Sequence, residues 1–391
     1  MRLRTIERVL RRAMDRTGTT GYLVGGTVRD ALLGRPVADV DVAVASGEER
    51  LARELSADGL GTAFALSPPG AALPVWRVAR GDSIVDVARF ERGGTIEDDL
   101  ARRDFTVNAI AREVGGRRLV DPFGGAVDLR AGRIRSISDA NLESDPLRVL
   151  RAYRLAATRG WTIVPDTRRR LARHARLVRR AAPERLHDEL ARLLAGKAAR
   201  AIGWALADGV LGATLGIPPS RAARRAAGRL PPARRGETAL ETGAGRLAIL
   251  LRAGGVASSS STDTLRRLKF SRAEIRETAR RRRFLDAAFS GAAADRVLFA
   301  HRDALSSLLR LADAAAATRA ERSRAAELRR AARRTARADA PVDGNDLRTW
   351  LGIGAGPEVG RRLEAARFGW FTRRWRTREE IRRGISALPP D

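Results

Sequence analysis

The pattern of apolar and polar positions changes character along the chain. Up to about residue 135, short apolar runs alternate with helical stretches. Tyr22-Leu23-Val24 reads as a strand, Gly25-Gly26 as a turn and residues 28–33 as a short helix. Residues 40–45, in the run Asp-Val-Asp-Val-Ala-Val, have the period-2 alternation of a strand. Residues 48–58 read as a helix, and 75–79 with 84–88 as a strand pair turning near Gly81-Asp82. Beyond Asp145 the strand signals nearly vanish. Residues 147–159, 167–178, 184–194 and 198–207 repeat apolar side chains at helical spacing. Residues 218–236 and the serine run 258–262 read as linkers, and 312–340 as one long solvated helix. Residues 341–344 break the pattern before a last helical unit ending at Leu388, and no repeat of fixed period is present. The pattern predicts an α+β chain, a head with a small mixed sheet followed by an all-helical remainder.

Composition narrows the function. At 391 residues and 44% hydrophobic content, the chain has enough apolar side chains for a sizeable core and too many for a disordered protein. The absence of cysteine excludes disulfides, zinc-thiolate sites, iron–sulfur ligation and a thiol nucleophile. No run approaches 18 apolar residues, so no membrane span is expected. Residues 1–17 lack an apolar h-region and read as an amphipathic first helix rather than a secretory signal or transit peptide. A soluble, cytoplasmic protein is the expectation. The net charge is +29, and 73 of the 75 cations are arginines, Lys197 and Lys269 being the lysines. Residues 1–135 hold 22 basic against 19 acidic residues, whereas 136–391 hold 53 against 27. A general bias toward Arg and Ala would raise the count everywhere and does not predict that split. The asymmetry suggests a chemical head joined to a scaffold that holds a polyanion.

Candidate chemistry lies in the head and at its edge. Gly25 and Gly26 stand between a strand and a helix, where glycines let the backbone approach a phosphate, and Arg29 could grip the same oxyanion. Asp39 and Asp41, at i and i+2 of a strand, share one face. Such a pair alone reads as a solvated edge strand, but as hard oxygen donors the two also suit Mg²⁺. Asp86 on a neighbouring strand could complete a metal triad, act as a base, or face solvent. Arg102-Arg103-Asp104 is either a helix-end ion pair or a triphosphate clamp built on Arg103. Arg148, Arg151 and Arg154 drift round one side of a helix for which Asp145 is the N-cap or first-turn acid.

Taken in order, these segments resemble the bacterial (class II) CCA-adding tRNA nucleotidyltransferase and poly(A) polymerase family. The resemblance is carried by Gly-Gly-Thr-Val-Arg-Asp from Gly25, Asp39-x-Asp41, Arg-Arg-Asp-Phe-Thr-Val-Asn-Ala from Arg102, Asp-Pro-Phe-Gly-Gly from Asp121 and Asp-Pro-Leu-Arg-Val-Leu-Arg-Ala from Asp145. It continues through Pro-Glu-Arg-Leu-His-Asp-Glu-Leu from Pro183, Leu-Arg-Arg-Leu-Lys-Phe-Ser from Leu265 and the tail motifs around 342–360. Ser144 departs from it, standing where the family usually has Glu.

The resemblance implies a polymerase-β-like catalytic head over 1–137, a neck over 138–200, a body over 201–338 and a tail over 339–391. It implies that Asp39 and Asp41 hold Mg²⁺, with Asp86 as a third carboxylate. Gly26, Arg29 and Arg103 would contact nucleotide phosphates, with Arg151 and Arg154 flanking base and phosphates. Asp145 and Arg148 would read the base without a template. Cytosine matches a carboxylate and a guanidinium with its amino donor and its N3/O2 acceptors. Uracil opposes both, and each unpaired group costs about 1–3 kcal/mol. The implied partners are tRNA lacking its 3′ end and CTP, with ATP used by a full CCA-adding or poly(A)-adding member. Residues 88–101 run straight into Arg102, with only Gly93-Gly94 where such relatives carry a long flexible insert. That shortening implies a CC-adding member. The pair His187-Asp188 reads as neck helix rather than a phosphohydrolase site, and Trp370, Phe371 and Trp375 as core rather than RNA-stacking rings.

Overall fold

The computed structural model describes residues 3–37, 39–68, 74–90, 94–197, 199–335 and 339–389. The chain divides into two compact units, Met1–Thr214 and Leu215–Asp391. The head and neck expected from the sequence lie inside the first.

The first unit opens with helix α1 (Leu3–Thr17), strand β1 (Gly21–Val24), helix α2 (Gly26–Leu32), β2 (Asp39–Val44), α3 (Glu48–Ala57), β3 (Thr62–Ala65), β4 (Val75–Arg80) and β5 (Ser83–Arg89). There follow α4 (Ile96–Ala101), a 3₁₀ turn Thr106–Asn108, β6 (Ala111–Glu113), β7 (Leu119–Val120), α5 (Gly125–Arg130) and β8 (Arg133–Ile134). Seven strands form one sheet in the order β3-β4-β5-β2-β1-β6-β7. Only β2 and β5 pair in parallel; the other neighbours are antiparallel. The sheet is therefore mixed, as the sequence pattern required.

In β2, Val40, Val42 and Val44 are buried on one face, which sends Asp39 and Asp41 to the other. On the face of Asp39 and Asp41, a cluster of Val24, Ala43, Phe90, Ile96, Leu100, Ala109 and Ala111 seats α4. Thr95 and Asp98 form a capping box that starts that helix at Ile96. The strand pair 75–79 and 84–88 is the β4–β5 hairpin, closed by Arg80 opposite Ser83. Strand β3 was not legible: it has four residues and lies at the sheet edge with little burial.

Residue 139 begins a helical region: α6 (Asp139–Ser144), α7 (Leu147–Arg159), the short strand β9 (Thr162–Ile163) pairing with β8, α8 (Pro165–Arg173), α9 (Pro183–Ala195) and α10 (Arg200–Ala207). Helix α7 packs against both α9 and α10 and buries Leu147, Leu150 and Tyr153 among others. The helix expected over 167–178 breaks at His174 into α8 and a 3₁₀ segment, Ala175–Arg180. Ala175 and Val178, three apart and buried, suit the threefold turn.

Among its described residues the second unit forms helices and their connections without strands, and three sequence expectations are corrected there. The serine run is not a linker but the start of helix Ser258–Arg267. Ser261 and Thr262 donate their hydroxyls back to the carbonyl of Ser258, so the polar run satisfies itself within the helix. Residues 218–236 include helix Arg221–Ala227, capped by Ser220 and burying Ala223, Ala226 and Ala227. The region 312–340 is not one helix: Leu305–Ala315 ends at extended Ala316, and a capping box of Thr318 and Glu321 starts Arg319–Ala332. Residues 336–338 of that region lie outside the described residues.

The tail helices Gly344–Leu351, Pro357–Phe371 and Arg378–Ser386 close on Trp375, which is core as expected. A Cβ at Gly369 or Gly384 would collide with its ring. Phe371 is buried, and Trp370 packs against the same cluster. Among the described residues no helix is long and apolar enough to cross a membrane.

Candidate active site

Strand β1 hands over to α2 at Gly25, whose φ of 64° and ψ of −128° suit glycine and strain any side chain. A Cβ there would lie 2.6 Å from Nη1 of Arg103 and 3.6 Å from Oδ2 of Asp41. The turn therefore marks where an arginine and a carboxylate approach the backbone together. Thr27, fully buried on the next turn, fastens α2 to β2. Its hydroxyl donates to the carbonyl of Asp39 (3.2 Å) and accepts from the backbone N–H of Asp41 (2.7 Å). The two strand carboxylates are thus held in register with the Gly-Gly turn.

A cleft of about 630 Å³ opens at this point. Gly25, Gly26, Arg29, Asp39, Asp41, Arg103, Arg148, Arg151 and Arg154 line it together with Arg102, Asp104, Asn108, Glu189 and Arg192. Seven arginines against four carboxylates leave a net positive cleft, suited to a polyanion. Burial pushes the Asp41 carboxyl up to about 6; nearby Asp86 and Asp39 push the same way, and Arg103 and Arg29 oppose them. That carboxylate has less counter-charge than its setting demands, the condition in which a bound cation stabilises it most. Asp39 and Asp41 offer hard oxygens on one strand face and fit a divalent metal ion.

Asp86 is placed differently. It lies directly opposite Asp41 on β5, but both its oxygens accept from the Arg77 fork, at 2.8 Å each. It is not part of the cleft lining. Among the described residues no three carboxylate or imidazole groups converge to hold a metal.

The arginines are fixed by partners that the sequence reading did not single out. Asp99, buried in α4, accepts from Nε (3.1 Å) and Nη2 (2.8 Å) of Arg103 and also pairs with Arg102. The helix-end ion pair and the cleft-facing arginine are therefore one arrangement. Arg29 donates to Asp30 through Nε (3.1 Å) and Nη2 (2.9 Å), and to Oδ1 of Asn108 through Nη1 (2.7 Å). The Asn108 amide in turn donates to buried Asp104 (2.8 Å), which also meets Arg151 (3.2 Å). Burial alone would raise Asp104, but Arg151, Asn108 and the Phe105 N–H hold it below the ordinary carboxylate range. Glu189 of α9 accepts from Arg154 (2.8 Å) and Arg151 (3.5 Å). Asn108 was visible in the Arg-Arg-Asp motif and Glu189 in the neck motif; that Asn108 meets Arg29 across 79 residues, and Glu189 the arginines of α7, was not.

At the start of α7, Arg148 donates Nη1 to the carbonyls of Arg102 (2.7 Å) and Asn141 (3.0 Å). Its Nε is buried with no hydrogen-bond partner among the described residues, and burial draws its pKa down. Asp145 is neither the N-cap nor a first-turn acid of α7: Pro146 holds the N-cap position, and Asp145 before it, the C-cap of α6, accepts from the Leu147 N–H (3.3 Å) while its other oxygen accepts from Arg185 (3.0 Å). Arg148 lines the cleft; Asp145 does not.

Residues 21–135 match the family model described as "Poly A polymerase head domain", and 160–206 one described as "Probable RNA and SrmB- binding site of polymerase A". A CC-adding tRNA nucleotidyltransferase of Geobacter sulfurreducens is 44% identical over 177 residues, 45% of this chain and 41% of that one. An A-adding tRNA nucleotidyltransferase of Deinococcus radiodurans is 44% identical over 203 residues, 49% of this chain and 44% of that one. The chain thus spans less than half the length of these curated relatives. The crystal structure of a Bacillus stearothermophilus CCA-adding enzyme in complex with CTP aligns over 98% of this chain and 97% of that one, with a TM-score of 0.66 and 27% identity.

Proposed function

We propose that this chain, whose head resembles that of poly(A) polymerases and class II CCA-adding tRNA nucleotidyltransferases, adds two C residues from CTP to the 3′ end of tRNA with release of pyrophosphate. The observation that carries the reading is the cleft itself, where the Asp39–Asp41 pair faces Arg29, Arg103, Arg148, Arg151 and Arg154. Asp39 and Asp41 would hold Mg²⁺. When bound, the metal supplies charge to the triphosphate and lowers the pKa of the tRNA 3′-hydroxyl.

The remaining work falls to the chain's own side chains. Arg29 and Arg103 bind triphosphate oxygens, each with its remaining N–H groups already aimed by Asp30, Asn108 or Asp99. Arg148 offers its orphaned Nε–H to an acceptor on the base edge. Asp145, anchored to the first turn of α7 and to Arg185, takes the base's amino donor. The 3′-oxygen forms its bond to the α-phosphorus as the bond to the pyrophosphate oxygen breaks, and the hydroxyl proton leaves with solvent. Asp86, engaged by Arg77, shapes the field at Asp41. The arginines of the second unit hold the RNA backbone without reading sequence.

The choice of CC rests on the short connection between β5 and α4. Six residues, Phe90 to Thr95, separate the two elements, and Glu91, Arg92 and Gly93 among them lie outside the described residues. So short a segment has no length to re-aim the base-reading pair from C to A. The equal identity to the Deinococcus relative favours a second reading, in which the chain adds only the terminal A. Incubation with Mg²⁺, CTP and ATP, using tRNA ending at the discriminator base and tRNA ending in CC, separates the readings by product mass. CC on the first substrate and nothing on the second is expected. A added only to the second supports the other reading, a complete CCA end defeats both, and no incorporation overturns transfer altogether.

A further inference from the structure

Asp30 is not part of the cleft lining, yet it accepts from two arginines on different elements. It takes the Nε and Nη2 donors of Arg29 on α2, and Nη2 of Arg159 at 2.9 Å. Arg159 is the last residue of α7, the helix whose first turn carries Arg148. The three side chains are largely buried, at 11%, 15% and 21% exposure for Arg29, Asp30 and Arg159, so solvent screens the pairs little. Burial by itself would raise Asp30, but the two arginines outweigh it and keep the carboxyl below its ordinary range.

A second arm reaches the same guanidinium from the middle of α7. Arg151 meets Asp104, Asp104 accepts from Asn108, and Asn108 accepts from Nη1 of Arg29. Helix α7 therefore grips Arg29 at two points eight residues apart. A single ion pair would leave the Arg29 plane free to swing about that contact; two anchors on opposite sides of the guanidinium fix its rotation. Fixing a fork in advance matters most where it must meet phosphate oxygens in one geometry.

We propose that Asp30 is a positioning residue that ties the last turn of α7 to Arg29, so that the helix presenting Arg148 to the base also sets the phosphate grip. Arg159 acts through Asp30 and touches no substrate. The inference rests on the reading of Arg29 as a phosphate ligand, and its test does not depend on transfer.

The test is a double-mutant cycle read by equilibrium binding of CTP and of inorganic tripolyphosphate to the full chain, with Mg²⁺ present. Arg159→Leu is expected to weaken both ligands by about three- to tenfold, although Arg159 lies outside the cleft, and Arg159→Lys to restore most of the loss. In an Arg29→Lys background, whose side chain cannot accept the Asp30 alignment, Arg159→Leu should cost less than twofold. Thermal melting of each variant reports whether the fold is kept, and Asp30→Asn provides a second, isosteric break of the same link. Fully additive losses, or unchanged binding in both Arg159→Leu and Asp30→Asn, overturn the proposal. If the wild type binds both ligands and the cycle is coupled but no nucleotide is incorporated into tRNA, the transfer reading fails and the positioning role stands. If the wild type binds neither ligand, both fall.

Discussion

Arginine does two different jobs in the two units. The first unit holds 37 basic against 27 acidic residues and the second 38 against 19, so the second carries more net charge in a shorter chain. The cleft arginines of the first unit are fixed in place around one site. Arg29, Arg103, Arg151 and Arg154 are 11–30% exposed and each meets a carboxylate. In the second unit, Arg266 and Arg383 are 68% and 76% exposed and pair, among the described residues, within their own helices. Exposed pairs of that kind contribute about 0–1 kcal/mol. One set of arginines supplies geometry, the other a field. The second unit also fixes arginines of its own, in its interior: Arg246 donates to the carbonyl of Pro231, Arg252 pairs with Glu321 and Arg281 with Glu277.

The sharpest way to break this contrast is to strip the cleft of its carboxylates. Asp39→Ala and Asp41→Ala should each lower transfer by about 10³-fold or more, the scale seen when a charge-stabilising group is lost from a reaction centre. tRNA affinity should stay within about threefold, because the field of the second unit is untouched. Rate and filter-binding measurements on the same preparations check both halves; near-normal transfer in either variant removes the metal assignment. One step smaller is base choice. Asp145→Ala or Arg148→Ala should admit UTP, narrowing CTP-over-UTP selectivity by about 10–100-fold, the equivalent of one or two mispaired polar groups. Unchanged selectivity in both would mean that α7 does not read the base.

Much of the first unit was legible because its signals are local. The alternation of Asp39–Val44 announced both the strand and the face of its carboxylates, and helix α7 matched the spacing of residues 147–159. What escaped was long-range or self-compensating. Thr27 reads as an ordinary helix residue, and only the fold shows its hydroxyl bridging the backbone of Asp39 and Asp41. Asp86 read as a metal ligand, a base or a solvent-facing group; its register opposite Arg77 engages it in a salt bridge, and register across a hairpin is not written in either strand alone. The serine run failed for another reason: hydroxyls that bond their own helix carbonyls let a polar sequence continue a helix that composition argues against.

A third prediction turns on the strain the cleft stores. The Asp41 carboxyl stands at about 6 in the folded chain, above its ordinary value of 3.8, so folding favours its protonated form. The folded state therefore binds more protons than the unfolded state between those two values, and stability contributed by this group is lost as pH rises through them. Above pH 6 the full cost is present, on the order of 1–3 kcal/mol. Asp41→Asn should raise the melting temperature of metal-free protein by a few degrees at pH 7.5 while abolishing transfer. The gain should shrink as pH falls from 6 to 4, where the wild-type carboxyl is already protonated. An Asn variant less stable than wild type at pH 7.5 would show that Arg103 and Arg29 need the charge more than burial resists it.

The smallest effect belongs to the field. Arg221 and Arg225 are exposed on helix Arg221–Ala227, in the unit with the larger net charge. A backbone contact made by such residues releases counterions, so its signature is the dependence of tRNA affinity on salt rather than any change at the cleft. Replacing both by Gln should raise KM for tRNA about threefold at moderate salt and flatten the log–log salt slope by at most about one unit per arginine. The kcat and the KM for CTP should not move, because neither side chain belongs to the network around Arg29. The same pair of measurements on Arg103→Gln should give the reverse, a large loss in nucleotide use with the salt slope nearly intact. If the Arg221 and Arg225 variant alters CTP-over-UTP selectivity, or leaves the slope unchanged, the division of labour between fixed and field arginines is drawn in the wrong place.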